Sequence, residues 1–131
     1  MTKAKVSIET FERAGHRTAS ALPETAGADE VLESIETAWC GAAILEAAHQ
    51  TLAVCQYRGA FTVGVRSGNA ELELVGDPTR KDVVEFAHGG QPAEWPGRYI
   101  VTRVDASRAI RTFLEKGTVE PNPDSKWEEQ R

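Results

Sequence analysis

Along the first eleven residues the polarity alternates. Val6, Ile8 and Thr10 fall on one side and Lys5, Ser7 and Glu9 on the other, which predicts a short strand. A polar stretch from about Arg13 to Thr25 reads as a loop. From Asp29 to Trp39 the period changes: Val31, Leu32, Ile35, Ala38 and Trp39 recur at the spacing of one helical face. Gly27 is placed as its N-cap, with Glu30 in an acidic first turn, and Gly41 as its C-cap. Period two returns between Ala42 and Val75, where AAILEAA, TLAVCQY, FTVGVR and AELELV are separated by HQ, RGA and SGN, the pattern of an antiparallel meander. Leu72 and Leu74 alternate with Glu71 and Glu73, so that strand is expected to turn its carboxylates to solvent.

Beyond the meander, GDPTRKD reads as a turn, VVEFA as a further strand, HGGQPAEWPG as an irregular loop and RYIVTR as another strand. A second helix is expected to start at Asp105 as N-cap, with Val104 stapled against Ala109. Ala106, Ala109, Ile110, Phe113 and Leu114 form its apolar face, and Gly117 closes it behind a cationic last turn. Trp127, after a Pro-containing connection, is expected on an edge strand or against the core. No internal repeat is visible. Together these elements predict a single α+β domain over residues 1–131, an antiparallel meander packed on one face by helices near 28–40 and 105–117.

Length and composition narrow the function. A chain of 131 residues with 27% charged and 40% hydrophobic residues has room for one core and is not a disordered composition. Its net charge of -5 argues against a nucleic-acid binder, whose phosphate contacts need a basic surface. The N-terminus has no apolar run of the ~7–15 residues an export signal carries. The most apolar segment, AAILEAAHQTLAVC, falls short of the roughly 18–20 residues a membrane span needs. A cytoplasmic protein is expected. Cys40 and Cys55 read as buried thiols in a reducing compartment.

Catalytic readings fare poorly. Glu46 and His49 have an E-x-x-H spacing, but on a strand pattern and without a second such pair, so they read as polar strand ends and not as metal ligands. A Cys55–His88 nucleophile and base pair has no spacing to support it. Gly89-Gly90 and Ser67–Asn69 are turn residues and not a phosphate cradle. No cofactor, metal or catalytic residue is assigned. The informative feature is charge placement: between Arg17 and Arg58, forty residues contain no Lys or Arg but hold Glu24, Asp29, Glu30, Glu33, Glu36 and Glu46. Asp29, Glu33 and Glu36 share one side of the first helix, away from Leu32 and Ile35, as an anionic stripe unrelieved by i+4 lysines. Such a surface suits a basic protein partner, and Trp95, between two prolines in the glycine-rich loop, is a second candidate contact as an apolar anchor, or else a tryptophan that covers the core.

The segment RYIVTRVDASRAIRTFLEKGTVEPNPDSKWEE resembles the end of the first family of immunity proteins of bacterial polymorphic toxin systems. In that family a strand leads to a polar cap, an Ala-rich helix with an aromatic-aliphatic pair, Gly, Pro and then Trp. Here those are Asp105, Ala109, Phe113, Leu114, Gly117, Pro121 and Trp127. The likeness extends over about residues 28–129, and VEPNPDSK departs from the family's shorter connection. The resemblance implies a cytoplasmic, non-enzymatic inhibitor that neutralises a cognate toxin domain by stoichiometric binding and active-site occlusion, the toxin being a deaminase or nuclease. It implies no nucleic-acid or membrane partner, and its matched residues define a fold and not a contact surface. The alternatives are a small ligand-binding or enzymatic α+β domain, with a pocket at the Gly-rich loop, and a homodimer formed through the uncovered sheet face or an edge strand.

Overall fold

The computed structural model describes residues 4–119 and 126–130. Nine strands and two helices lie among them: β1 (Lys5–Phe11), β2 (Arg17–Leu22), α1 (Ala28–Glu36), β3 (Cys40–Glu46), β4 (Gln50–Tyr57), β5 (Ala60–Ser67), β6 (Ala70–Leu74), β7 (Val83–His88), β8 (Gln91–Pro96), α2 (Arg103–Lys116) and β9 (Trp127–Gln130). Seven strands form one antiparallel sheet in the order β2-β1-β3-β4-β5-β6-β9, and β7 and β8 form a separate hairpin.

Register explains the core. Val6, Leu45, Leu52, Val65 and Leu72 are successive partners across β1, β3, β4, β5 and β6, and Ile8, Ala43, Val54 and Val63 make a second row. Because side chains alternate across a strand, both rows point to the same face. There they meet Val31, Leu32 and Ile35 of α1 and Ala106, Ala109, Ile110 and Phe113 of α2. Each large side chain buried this way contributes about 1.5–3 kcal/mol. The α+β architecture, with both helices on one face of the meander, is as the hydrophobic pattern predicts. No helix among the described residues is long and apolar enough to cross a membrane.

Several local expectations are corrected. The polar stretch at 13–25 contains β2, whose exposed side chains carry no apolar alternation and which is held by its ladder to β1. Gly41 is no cap: α1 ends at Glu36 with Thr37 as its C-cap, and Gly41 lies in β3, where an added Cβ would stand 2.9 Å from the Cβ of Ile35. The missing side chain lets α1 lie close to the sheet. The supposed loop at 88–97 is mostly β8, joined to β7 through Gly89 and Gly90 at φ +61 and +79. Those angles are the ones a two-residue hairpin turn requires. Pro92 and Pro96 share one parity on this edge strand, where a missing N–H costs no ladder bond. RYIVTR is not a strand: Gly97–Tyr99 form a 3₁₀ turn, and Val101 makes a single bridge to Phe61.

The start of α2 is one turn earlier than Asp105. Thr102 is the N-cap: its hydroxyl accepts from the Asp105 N–H at 3.1 Å while the Asp105 carboxylate accepts from the Thr102 N–H at 3.4 Å. Asp105 is the other half of this capping box. Val104 is 66% exposed and staples nothing. Thr102→Ala is expected to lower stability by about 1 kcal/mol, read from the urea midpoint, with the denaturant slope unchanged. The helix stops as expected at Gly117, at φ 73, whose N–H donates to the Phe113 carbonyl at 2.7 Å. Trp127 satisfies both expectations for it, opening edge strand β9 against β6 and packing on the main core. Pro121 lies outside the described residues.

The second face of the sheet is half covered. Phe86 and Ala87 of the β7–β8 hairpin pack on Cys40 and Tyr57, with Phe11, Trp39, Cys55, Trp95 and Ile100 around them. Ring contacts run from Trp39 through Tyr57, Phe86 and His88 to Trp95 and Tyr99, with centroids 4.6–6.1 Å apart. Toward β6 the hairpin gives this face no cover, and over β9 it is the 3₁₀ turn that reaches it, through Arg98 and Tyr99.

Candidate partner-binding surfaces

The acidic residues of α1 stand where helical spacing puts them, on the side away from the core. Asp29, Glu30 and Glu33 are exposed, the Asp29 side chain by 75%, whereas Glu36 is 27% exposed. The cationic relief absent from i+4 positions comes from α2. Arg103 Nε donates to Glu36 Oε2 at 2.8 Å, and its Nη1 stands 3.7 Å from Asp29 Oδ1. One guanidinium thus spans the two ends of the stripe. Glu30 and Glu33 have no ion pair among the described residues, so the outward field of α1 remains anionic.

Trp95 sits elsewhere. It lies on β8, half-buried between His88 at 4.6 Å and Tyr99 at 6.1 Å, on the opposite face of the sheet from α1. Its indole N–H is buried without a hydrogen-bond partner among the described residues. The structure therefore brings Asp29, Glu33 and Glu36 together and leaves Trp95 apart from them.

The other chemistry-bearing residues take structural places. Glu46 ends β3 and His49 stands exposed in the turn before β4, and no metal-holding group occurs among the described residues. Cys55 is a thiol whose pKa burial pushes up to about 12, with the nearby Glu73 adding to the shift. His88 Nε2 is 3.3 Å from Thr62 Oγ1, and burial holds the imidazole below its usual pKa. Cys40 donates its S–H to the Ala87 carbonyl at 3.2 Å.

The sequence reading missed a third surface, a groove of about 460 Å³ on the uncovered half of the second face. Ile44 of β3, Thr51 and Ala53 of β4, Gly64 of β5, Glu73 of β6 and Gln130 of β9 line it, with Glu46, Arg66 and Glu71 at its rim. Gly64 and Glu73 are register partners. A Cβ on residue 64 would stand 2.7 Å from Glu73 Oε1, so the glycine is what lets this carboxyl lie down across the sheet. Glu73 Oε2 is buried and has no hydrogen-bond partner among the described residues. Burial first, and the charge of Glu71 second, push the Glu73 pKa up to about 8. The expectation that Glu73 faces solvent is corrected.

Two of the lining donors, Arg66 and Gln130, are already engaged. Arg66 gives two hydrogen bonds to Glu71 Oε1, at 2.7 and 3.1 Å. Glu128 Oε1, on the same face of β9, accepts from the Tyr99 hydroxyl at 2.9 Å and from Arg98 Nε at 3.2 Å. The Tyr99 hydroxyl first, and Arg98 second, hold the Glu128 carboxyl below its usual range. Gln130 Nε2 donates to the Tyr99 hydroxyl at 2.8 Å. A glycine inside FTVGVR was the local sign of a close approach, but which group approaches depends on strand register.

No family model, curated protein or solved structure matches the chain.

Proposed function

We propose that this chain is an immunity protein that neutralises a cognate bacterial toxin, a nucleic-acid-targeting deaminase or nuclease, by binding it stoichiometrically in the cytoplasm and occluding its active site. The observation that carries the reading is the exposed carboxylate row of α1, in which Asp29, Glu30 and Glu33 face outward and, among the described residues, Arg103 is the one cation paired with the helix, at Asp29 and Glu36. An enzyme that acts on nucleic acid needs a basic cleft for phosphates, and a rigid anionic ridge is its electrostatic complement. Arg103 also orders Glu36 and Asp29 before any partner arrives, which reduces the side-chain entropy lost on association. In this contact Asp29, Glu33 and Glu36 pair with Arg or Lys around the toxin's active site, and Trp95 stays with the second face. The order of cap, Ala-rich helix, glycine and tryptophan in the C-terminal segment supports the same role.

Co-expression with the product of an adjacent reading frame, scored for growth, tests the role. Rescue is expected, and failure of every neighbour to be neutralised would remove it. The contact is tested separately. Asp29→Lys combined with Glu33→Lys is expected to slow association about tenfold at low salt and much less at high salt. An unchanged association rate at low salt takes α1 out of the interface. A second reading, a small ligand-binding domain, draws on the groove over Gly64, which the β7–β8 hairpin does not line.

A further inference from the structure

We infer that β2 is a docking edge for a second copy of this chain, and that two β2 strands pair antiparallel about a two-fold axis at Ala19. The pairing is independent of the immunity reading, because it uses the margin of the sheet and not the carboxylates of α1. β2 is the outermost strand of the large sheet, and no described residue pairs with its far side. Which of its backbone groups are free follows from one bond. The Glu12 N–H donates to the His16 carbonyl at 2.8 Å, and bonded and non-bonded pairs alternate along an antiparallel ladder. Thr18, Ser20 and Leu22 therefore turn their N–H and C=O groups to β1, and Arg17, Ala19 and Ala21 turn theirs outward. The bond from the Ala47 N–H to the Gln50 carbonyl, counted back through β3 and β1, gives the same parity.

An open edge is normally guarded by proline, charge, a bulge or shortness. β8 carries Pro92 and Pro96, and β9 has four residues, Glu128 and Glu129 among them. β2 has six, RTASAL, in unbroken one-to-one register with β1, and all but Leu22 are exposed. Its one charged side chain, Arg17, is drawn to Glu9 of β1. Pairing residue 17 with 21, 19 with 19 and 21 with 17 engages every outward group of both copies, each pair exchanging two hydrogen bonds. A shift by two residues either way brings in Gly15 of the turn or Pro23, which has no N–H. In this register Arg17 faces the small side chain of the second copy's Ala21, and Thr18 faces its Ser20, a favourable cross-strand pair. Charge matches as well. With ~4.8 Å between strands and ~3.4 Å per residue, the Cα of Arg17 lies ~12 Å from that of the second copy's Glu9 and ~14 Å from that of its Arg17, so opposite charges are nearer than like ones. The strand makes this match with itself, which selects a second copy as its occupant. The contact is small, so association is expected to be weak and concentration-dependent.

Sedimentation equilibrium of the full chain from ~10 µM to ~1 mM tests this, in ~0.15 M salt to screen the net charge of -5 on each copy. A monomer–dimer equilibrium is expected. Amide hydrogen exchange of the ¹⁵N-labelled chain locates the contact: with rising concentration the amides of Arg17, Ala19 and Ala21 should slow severalfold, while those of Thr18, Ser20 and Leu22, already bonded to β1, keep their rates. Ala19→Pro removes an N–H that β1 does not use and is expected to weaken dimerisation about tenfold or more. Ala19→Lys serves where proline disturbs the strand. Within one copy the new ammonium faces Glu9, the register partner of residue 19, whereas across the two-fold axis two ammonium groups stand directly opposite. This variant should lose the dimer and keep the thermal midpoint of the dilute wild type. A monomer throughout the concentration range, a dimer that Ala19→Lys leaves intact, or concentration-dependent protection confined to other elements would each overturn the inference. A failed rescue in the co-expression test would leave it standing.

Discussion

Gln56→Leu is expected to destabilise the fold by about 3–5 kcal/mol in urea titrations, although leucine keeps nearly the same volume. Gln56 is fully buried on the helix face of β4. Its Nε2 donates to the carbonyls of Ile35 at 2.6 Å and Ala38 at 3.0 Å, and its Oε1 accepts from the Gly59 N–H at 2.8 Å. One side chain thereby ties the end of α1 to the sheet and closes the β4–β5 turn, where Arg58 and Gly59 both take positive φ, 51 and 85. Leucine fills the space but leaves these backbone groups without their partner, and each such loss costs about 1–3 kcal/mol. A loss below about 1 kcal/mol would mean that water replaces the amide and that α1 is held by its apolar face alone.

Glu73→Gln is expected to separate from the wild type only as pH rises. In the folded chain the Glu73 carboxyl titrates near 8, against 4.5 for an unperturbed glutamate. Below pH 4.5 both states hold the proton and the group contributes nothing. Between 4.5 and 8 the unfolded chain binds fewer protons than the folded one, so wild-type stability falls with pH, and the loss is complete above 8. At ~1.4 kcal/mol per pH unit, trimmed for the partial solvent access of the groove, the penalty amounts to about 2–4 kcal/mol. The glutamine variant carries no such penalty. It should match the wild type within about 1 kcal/mol at pH 4.5 and exceed it by that penalty at pH 9. Parallel stability curves for the two proteins would place the Glu73 carboxyl in water.

The two residues mark where sequence reasoning stops. The meander from β3 to β6, the apolar faces of both helices and the glycine stop of α2 were legible because alternation, 3.6-residue periodicity and caps are local signals. β2 was not, because RTASAL shows no apolar face and takes its conformation from pairing with β1. β8 was hidden by two prolines that an edge strand accommodates. At the start of α2, Thr102 and Asp105 are both capping residues three apart, and only their mutual bonds show which one is outside the helix. Asp29 and Glu33 of the carboxylate stripe do face outward, but Glu36 is half-buried against Arg103, 67 positions along the chain, a counterion that helical spacing within α1 does not reveal. Glu73 has the same period-two position as an ordinary solvent-facing glutamate. What distinguishes it is the glycine that strand register sets beside it.

Closure of the large sheet by β9 has a consequence for how the chain is made. The ladder from β1 to β6 draws on residues 5–74, whereas the strand that covers the far side of β6 comes from residues 127–130. During vectorial synthesis the margin of β6 therefore stays bare, with its amides and carbonyls exposed, until translation has passed both helices. A ribosome that stops short of Trp127 releases more than a protein without β9: it releases a template on which other nascent copies can assemble.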